Sequence, residues 1–305
     1  MADRVPLRSV LGRRLLLADG AMGTMLQRQP LSVDDFGGPE GCLEILNITR
    51  PDVVASIHEA YLAAGADLIE TNTFGANVTA LAEHGLDDLL EELAEAGADI
   101  ARKQADAAST PDRPRWVLGS VGPGTLLPTL GQVSSAVIEA SAQRQIGAML
   151  RGGIDAALIE TGVDLLSLVA SVIGARRAIG NADIPLLVSL STQPDGRMPL
   201  GDDLAEAVTT LTRLGITAIG VNCANGLVGL HETMEDLTRL SPIPLLCLPS
   251  AGLPTMTDDG PQYPVGPAEF AQTLAGFIDD FPVMLIGGCC GTTPEYIAAL
   301  AERLG

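Results

Sequence analysis

Eight short runs of nearly unbroken apolar residues recur along the chain, at 15–20, 66–74, 116–123, 155–161, 185–192, 218–223, 244–252 and 283–291. Their apolar residues are consecutive rather than alternate, as a parallel strand buried on both faces requires. Between the runs the period changes. Pro51-Asp52 opens a stretch that places Val53, Val54, Ile57 and Tyr61 on one helical face, and further helices are predicted over about 134–151 and 164–179. At the end of the chain Thr293 is placed to be an N-cap and Pro294 suits the first helical position. Ile297, Leu300, Ala301 and Leu304 then follow at helical spacing.

Eight strand–helix alternations predict an α/β protein, a single (β/α)₈ barrel over residues 1–305. No Ser/Gly linker divides the chain, and barrels of this kind commonly run to about 250 residues as one domain. Such a barrel carries its chemistry at the C-terminal ends of its strands. The unusual tripeptides fall there: Asp19-Gly20-Ala21, Asn72-Thr73-Phe74, Gly122-Pro123-Gly124, Glu160-Thr161-Gly162, Asn222-Cys223-Ala224 and Cys289-Cys290-Gly291.

Composition narrows the partners. The formal charge is −20, so phosphate backbones and anionic lipid surfaces are repelled, and neither a nucleic acid nor a membrane is expected. No apolar run reaches the ~18 residues that span a bilayer, and Met1-Ala2-Asp3-Arg4 lacks the start of a secretory signal. Five cysteines, an odd number, argue against a disulfide framework and for a reducing cytoplasm.

Cys223 closes the sixth run, and Cys289-Cys290 the eighth, so all three thiols come to one mouth. Three soft ligands with a fourth position left over suit catalytic Zn²⁺ rather than Mg²⁺ or Ca²⁺. A cysteine is more often a small buried hydrophobe, and Cys42 and Cys247 are read that way. Spacing alone leaves both readings open for the other three, although Gly287-Gly288-Cys289-Cys290-Gly291 offers little bulk for packing. Three thiolates on Zn²⁺ give a net −1 site, better suited to holding a further thiol deprotonated than to hydrolysis.

The runs Asp19-Gly20-Ala21-Met22-Gly23-Thr24, Glu70-Thr71-Asn72-Thr73-Phe74-Gly75-Ala76-Asn77 and Gly119-Ser120-Val121-Gly122-Pro123-Gly124 lie in one order with three later ones. Those are Ile159-Glu160-Thr161, Gly220-Val221-Asn222-Cys223 and Gly287-Gly288-Cys289-Cys290-Gly291-Thr292-Thr293-Pro294. Together they resemble the homocysteine S-methyltransferase family, and within it the homocysteine-binding module of cobalamin-dependent methionine synthases. The resemblance implies a (β/α)₈ barrel, zinc on Cys223, Cys289 and Cys290, and homocysteine sulfur as a further ligand. It also implies that Asp19 and Glu160 hold the amino acid head group. An ammonium needs carboxylate acceptors, while backbone N–H groups near Gly20 and Ala21 can hold the carboxylate.

Two positions depart from the family pattern. Leu248-Pro249-Ser250-Ala251-Gly252 has Ser250 where methionine synthases carry an Asn that can occupy the zinc, so Ser250 is the candidate resting ligand or a neighbour of the metal. Ser120 stands where some members have an Asp near the head group. Methylcobalamin, free or on a separate corrinoid-carrying domain or protein, is the expected methyl donor. Relatives that use S-methylmethionine carry Arg after the paired cysteines, whereas Gly291 is expected to leave the mouth open to a corrin. Betaine-using relatives continue beyond the barrel, and this chain stops at Gly305. The alternative is a thiol or selenol methyltransferase that takes its methyl from S-methylmethionine, S-adenosylmethionine or betaine.

Overall fold

The computed structural model describes residues 4–37, 41–193, 195–223, 226–257 and 260–305. Ten strands follow in chain order: β1 Leu16–Leu17, β2 Leu68–Glu70, β3 Trp116–Val121, β4 Ala156–Gly162, β5 Leu186–Leu190, β6 Ala218–Cys223, β7 Leu245–Pro249, β8 Thr255–Thr257, β9 Gly260–Gln262 and β10 Val283–Ile286. Eight of them form one parallel sheet in the order β1-β10-β7-β6-β5-β4-β3-β2. A bridge from Ala18 to Leu68 joins the two ends of that order and closes the (β/α)₈ barrel. No helix among the described residues is long and apolar enough to cross a membrane.

Two buried clusters show how the pleat divides the side chains. Leu16, Ala18, Leu68, Leu118, Leu158, Leu187, Leu246 and Leu248 belong to one, the barrel interior. Their chain neighbours Leu17, Ile69, Val117, Ile159, Val188 and Cys247 belong to the other, between the strands and the helical layer. Alternate residues therefore point inward, although both faces are apolar. Leu7, on a short turn before β1, closes the interior from below, where Trp116 Nε1 donates to the Val5 carbonyl at 2.8 Å.

Two residues further along each inward column the chemistry changes. Leu68 gives way to Glu70, Leu118 to Ser120, Leu158 to Glu160, Leu187 to Ser189, and Leu248 to Ser250; β6 carries Asn222 on the same side as Ala218, one residue before its end. Burying each leucine stabilises the fold by about 1.5–3 kcal/mol. The polar layer above opposes folding unless its hydrogen bonds are made. That layer is the barrel mouth.

Three details differ from the sequence expectations. The predicted runs at 244–252 and 283–291 overshoot their strands, which end at Pro249 and Ile286. Both strands stop short of these residues, β10 at the start of Gly287-Gly288, so Ser250 and the cysteine pair lie in loops. The β8–β9 hairpin was not predicted, its strands being three residues each and the second opening on Gly260-Pro261. Thr293 is at the N-cap position, yet its hydroxyl donates to the Glu295 carboxylate rather than accepting from the helix.

Candidate active site

Cys223, Cys289 and Cys290 converge as expected, their sulfurs all within 4.8 Å of one another and Cys223 Sγ 3.5 Å from Cys290 Sγ. Tetrahedral zinc with Zn–S bonds of about 2.3 Å places its sulfurs about 3.8 Å apart. The donor set and its spacing therefore fit a zinc ion with one position left for an incoming ligand. Loop bonds hold the trio: Cys289 N–H donates to the Pro249 carbonyl at 2.9 Å, and Ala251 N–H to that of Cys290 at 2.9 Å. Gly288 has no room for a side chain, since a Cβ there would overlap the Thr292 side chain. Cys223 has φ 58°, a left-handed conformation uncommon outside glycine. Ala224 lies outside the described residues.

The thiols act on one another. Hydrogen bonds from Cys223 and Cys289 push the Cys290 thiol down to about 3. Cys289 is raised well above the ordinary thiol range by Cys223, Cys290 and burial. Cys223 feels a lowering contact from Cys289, but Cys290 and burial raise it to about 12. One thiolate is thus favoured without metal, and a second and third require a cation beside them. Cys42 and Cys247 are buried elsewhere, as expected, and burial raises their thiols to about 11 and about 12.

Asp19 and Glu160 lie beside the thiols, 2% and 6% exposed. Asp19 Oδ2 accepts the Glu70 N–H at 3.0 Å, and its Oδ1 is buried without a hydrogen-bond partner. Ser120 donates its hydroxyl to Glu160 Oε1, so that residue supports a carboxylate rather than supplying one. Burial raises the pKa of both acids, that of Asp19 well above its ordinary value. No Lys or Arg among the described residues pairs with either. Ala21 N–H donates to the Thr292 carbonyl at 2.9 Å, so of the pair near the first strand tip only the Gly20 amide lacks a partner among the described residues.

Three further relationships, those of Glu70, Asn222 and Tyr263, were not read from the sequence, and the position expected of Ser250 gains a bonding partner. Glu70 joins the acidic cluster, its pKa raised well above the usual range by burial and then by Glu160 and Asp19. Asn222 donates to Glu160 Oε2 at 3.1 Å and lies 3.7 Å from Cys289 Sγ. Ser250 donates to the Cys223 carbonyl at 3.2 Å, which makes it a neighbour of the thiols. Tyr263, after the β8–β9 hairpin, packs its ring where a side chain at Gly291 would stand. The space beside Gly291, expected to stand open to a corrin, is taken by this aromatic ring. The inward alternation of the strands could have flagged Glu70 and Asn222; nothing local could have placed Tyr263.

Such a site sets three convergent cysteine sulfurs beside buried carboxyls at the mouth of a (β/α)₈ barrel. The chain belongs to the homocysteine S-methyltransferase family, whose model matches residues 16–304. It is 48% identical over 300 residues to a methionine synthase of Mycobacterium tuberculosis. It is 46% identical over 300 residues to one of Mycobacterium leprae. Each match covers 98% of this chain and 25% of the relative, so the chain spans about a quarter of their length. The homocysteine methyltransferase MmuM from Escherichia coli, solved in a metallated form, superposes with a TM-score of 0.76 at 25% identity, over 98% of this chain and 100% of that one.

Proposed function

We propose that this chain methylates the thiol of homocysteine to give methionine, with Zn²⁺ held by Cys223, Cys289 and Cys290 and methylcobalamin as donor. The observation that carries the reading is the juxtaposition of three convergent sulfurs with two buried carboxyls that have no basic partner among the described residues. An amino-thiol supplies both missing groups, an ammonium for the acids and a sulfur for the metal centre. Bound there, zinc would supply the acidity that keeps an incoming thiol deprotonated near neutral pH. Asp19 and Glu160 bind and orient the ammonium, Ser120 fixes the Glu160 carboxylate, and the Gly20 amide, without a partner among the described residues, is the donor to the substrate carboxylate. Ser250 supports the Cys223 carbonyl and lies near the resting fourth position.

The relatives' fourfold greater length leaves room for a corrinoid-carrying domain, which supports methylcobalamin. Thiols that must stay reduced to hold a metal suit a cytoplasmic setting. A second reading, with S-methylmethionine, S-adenosylmethionine or betaine as donor, is favoured by Tyr263, whose ring fills the space beside Gly291 and lies near Cys290. Methionine formation from homocysteine, followed in parallel with the four donors, tests both. Fastest turnover with methylcobalamin is expected; faster turnover with either sulfonium or with betaine selects the second reading, and none with any donor rejects the activity.

A further inference from the structure

Asn222 is 1% exposed one residue before the end of β6, and every polar atom of its carboxamide is engaged. Its Oδ1 accepts the Thr161 N–H at 2.7 Å and the Ser189 hydroxyl at 2.7 Å. A backbone N–H cannot reverse its polarity, so this side of the amide must be the oxygen. The Nδ2 group therefore faces the mouth, donating to Thr161 Oγ1 at 2.8 Å and Glu160 Oε2 at 3.1 Å, with Cys289 Sγ at 3.7 Å. Thr161, at φ 56°, is the other non-glycine residue described in the left-handed region besides Cys223, and both of its polar groups here are bonded to Asn222.

We propose that Asn222 is a positioning residue that fixes the distance between the ammonium slot and the thiol slot, and so selects homocysteine over shorter amino-thiols. One rigid amide touches a head-group carboxylate and a metal-binding sulfur at once. Neither can move toward or away from the other without breaking a bond to Asn222. With two hydrogens the amide donates to Thr161 Oγ1 and Glu160 Oε2 and sets its Nδ2 group against Cys289 Sγ, where an aspartate of the same shape would place a negative oxygen. Cysteine is one methylene shorter than homocysteine, and a site of fixed span discriminates one methylene by about 10–200-fold. This inference rests on the homocysteine reading above.

The test compares wild type with Asn222→Asp, Asn222→Ala and Ser189→Ala. Ser189→Ala removes one bond to Oδ1 and no bond to Glu160 or the thiols, and covers the case in which the Asn222 variants misfold. Each protein is loaded with Co²⁺, its thiolate-to-metal absorption is recorded, and the affinities for homocysteine and cysteine are measured by calorimetry. In the Asn222 variants we expect a shifted absorption band, Co²⁺ binding weakened by about 10–100-fold, and a homocysteine preference narrowed by about tenfold. Ser189→Ala is expected to change both readouts in the same direction by less. An unchanged band together with an unchanged homocysteine-to-cysteine ratio in all folded variants would overturn the inference alone. A wild type that binds Co²⁺ but not homocysteine would overturn the functional reading and the inference with it.

Discussion

The ring of Tyr263 occupies the place of a side chain at Gly291, one residue beyond the cysteine pair, although 28 positions separate them in the chain. Gly291 has φ 82°, so two separate causes exclude a side chain there: the left-handed backbone and the ring. Left-handed backbone alone costs about 1–2 kcal/mol for a residue with a Cβ. We expect Gly291→Ala to lower the melting temperature and to weaken metal retention, because Cys290 shares the strained turn. A Tyr263→Ala, Gly291→Ala double variant should recover the steric part and keep the backbone part. Thermal unfolding of the two single variants and the double variant checks this; strictly additive losses would show that ring and turn do not touch.

Replacing Cys223, Cys289 or Cys290 with Ser should reduce bound zinc from one per chain to a small fraction and abolish methyl transfer. Cys42→Ser and Cys247→Ser should keep the metal, since both thiols lie in the apolar layer away from the mouth. Metal analysis of the purified variants decides. Full zinc in a Cys289→Ser, Cys290→Ser double variant would mean that the metal sits elsewhere.

Parts of this architecture are legible in the sequence because burial writes them there. A strand packed on both faces must be apolar throughout, so β3, β4, β5 and β6 stand out as unbroken runs. The cysteine pair is visible because its flanking glycines have no packing purpose of their own. Glu70 and Asn222 carry no such mark. Their importance comes from standing one step above the last apolar inward residue, which appears only once the pleat is phased against the barrel axis. Tyr263 is harder still, because its partner is fixed by the path of the loop after β9 and by no local period.

Glu160→Gln is the cleanest probe of the head-group slot. The Ser120 hydroxyl can turn to accept from the new amide, and Asn222 can still donate to the remaining oxygen, so shape and bonding survive while the charge is lost. Losing one charge-assisted hydrogen bond costs about 1.5–3 kcal/mol, or roughly one to two orders of magnitude in KM for homocysteine. A thiol of similar length without an amino group should be little affected. Steady-state kinetics with both thiols separates the outcomes, and equal losses for the two would remove Glu160 from ammonium binding.

Asp19 links the slot to stability through pH. Burial raises its carboxyl well above the carboxylate range in the folded protein, while the hydrogen bonds from the backbone only partly oppose that. Below about pH 4 the acid is protonated in both the folded and the unfolded chain, and it has no effect on their balance. As pH rises, the unfolded chain ionises first, so stability falls progressively until the folded pKa is passed. Asp19→Asn keeps the oxygen that accepts the Glu70 N–H and cannot ionise. The substrate-free variant should therefore melt higher than wild type near pH 7, with a difference that shrinks toward pH 4. Homocysteine should reverse the order at pH 7, because its ammonium compensates the buried charge in wild type alone. Melting curves across this range, with and without homocysteine, provide the measurement. A variant no more stable than wild type at neutral pH, or equally stabilised by homocysteine, would show that Asp19 is not the buried, uncompensated acid of the substrate-free site.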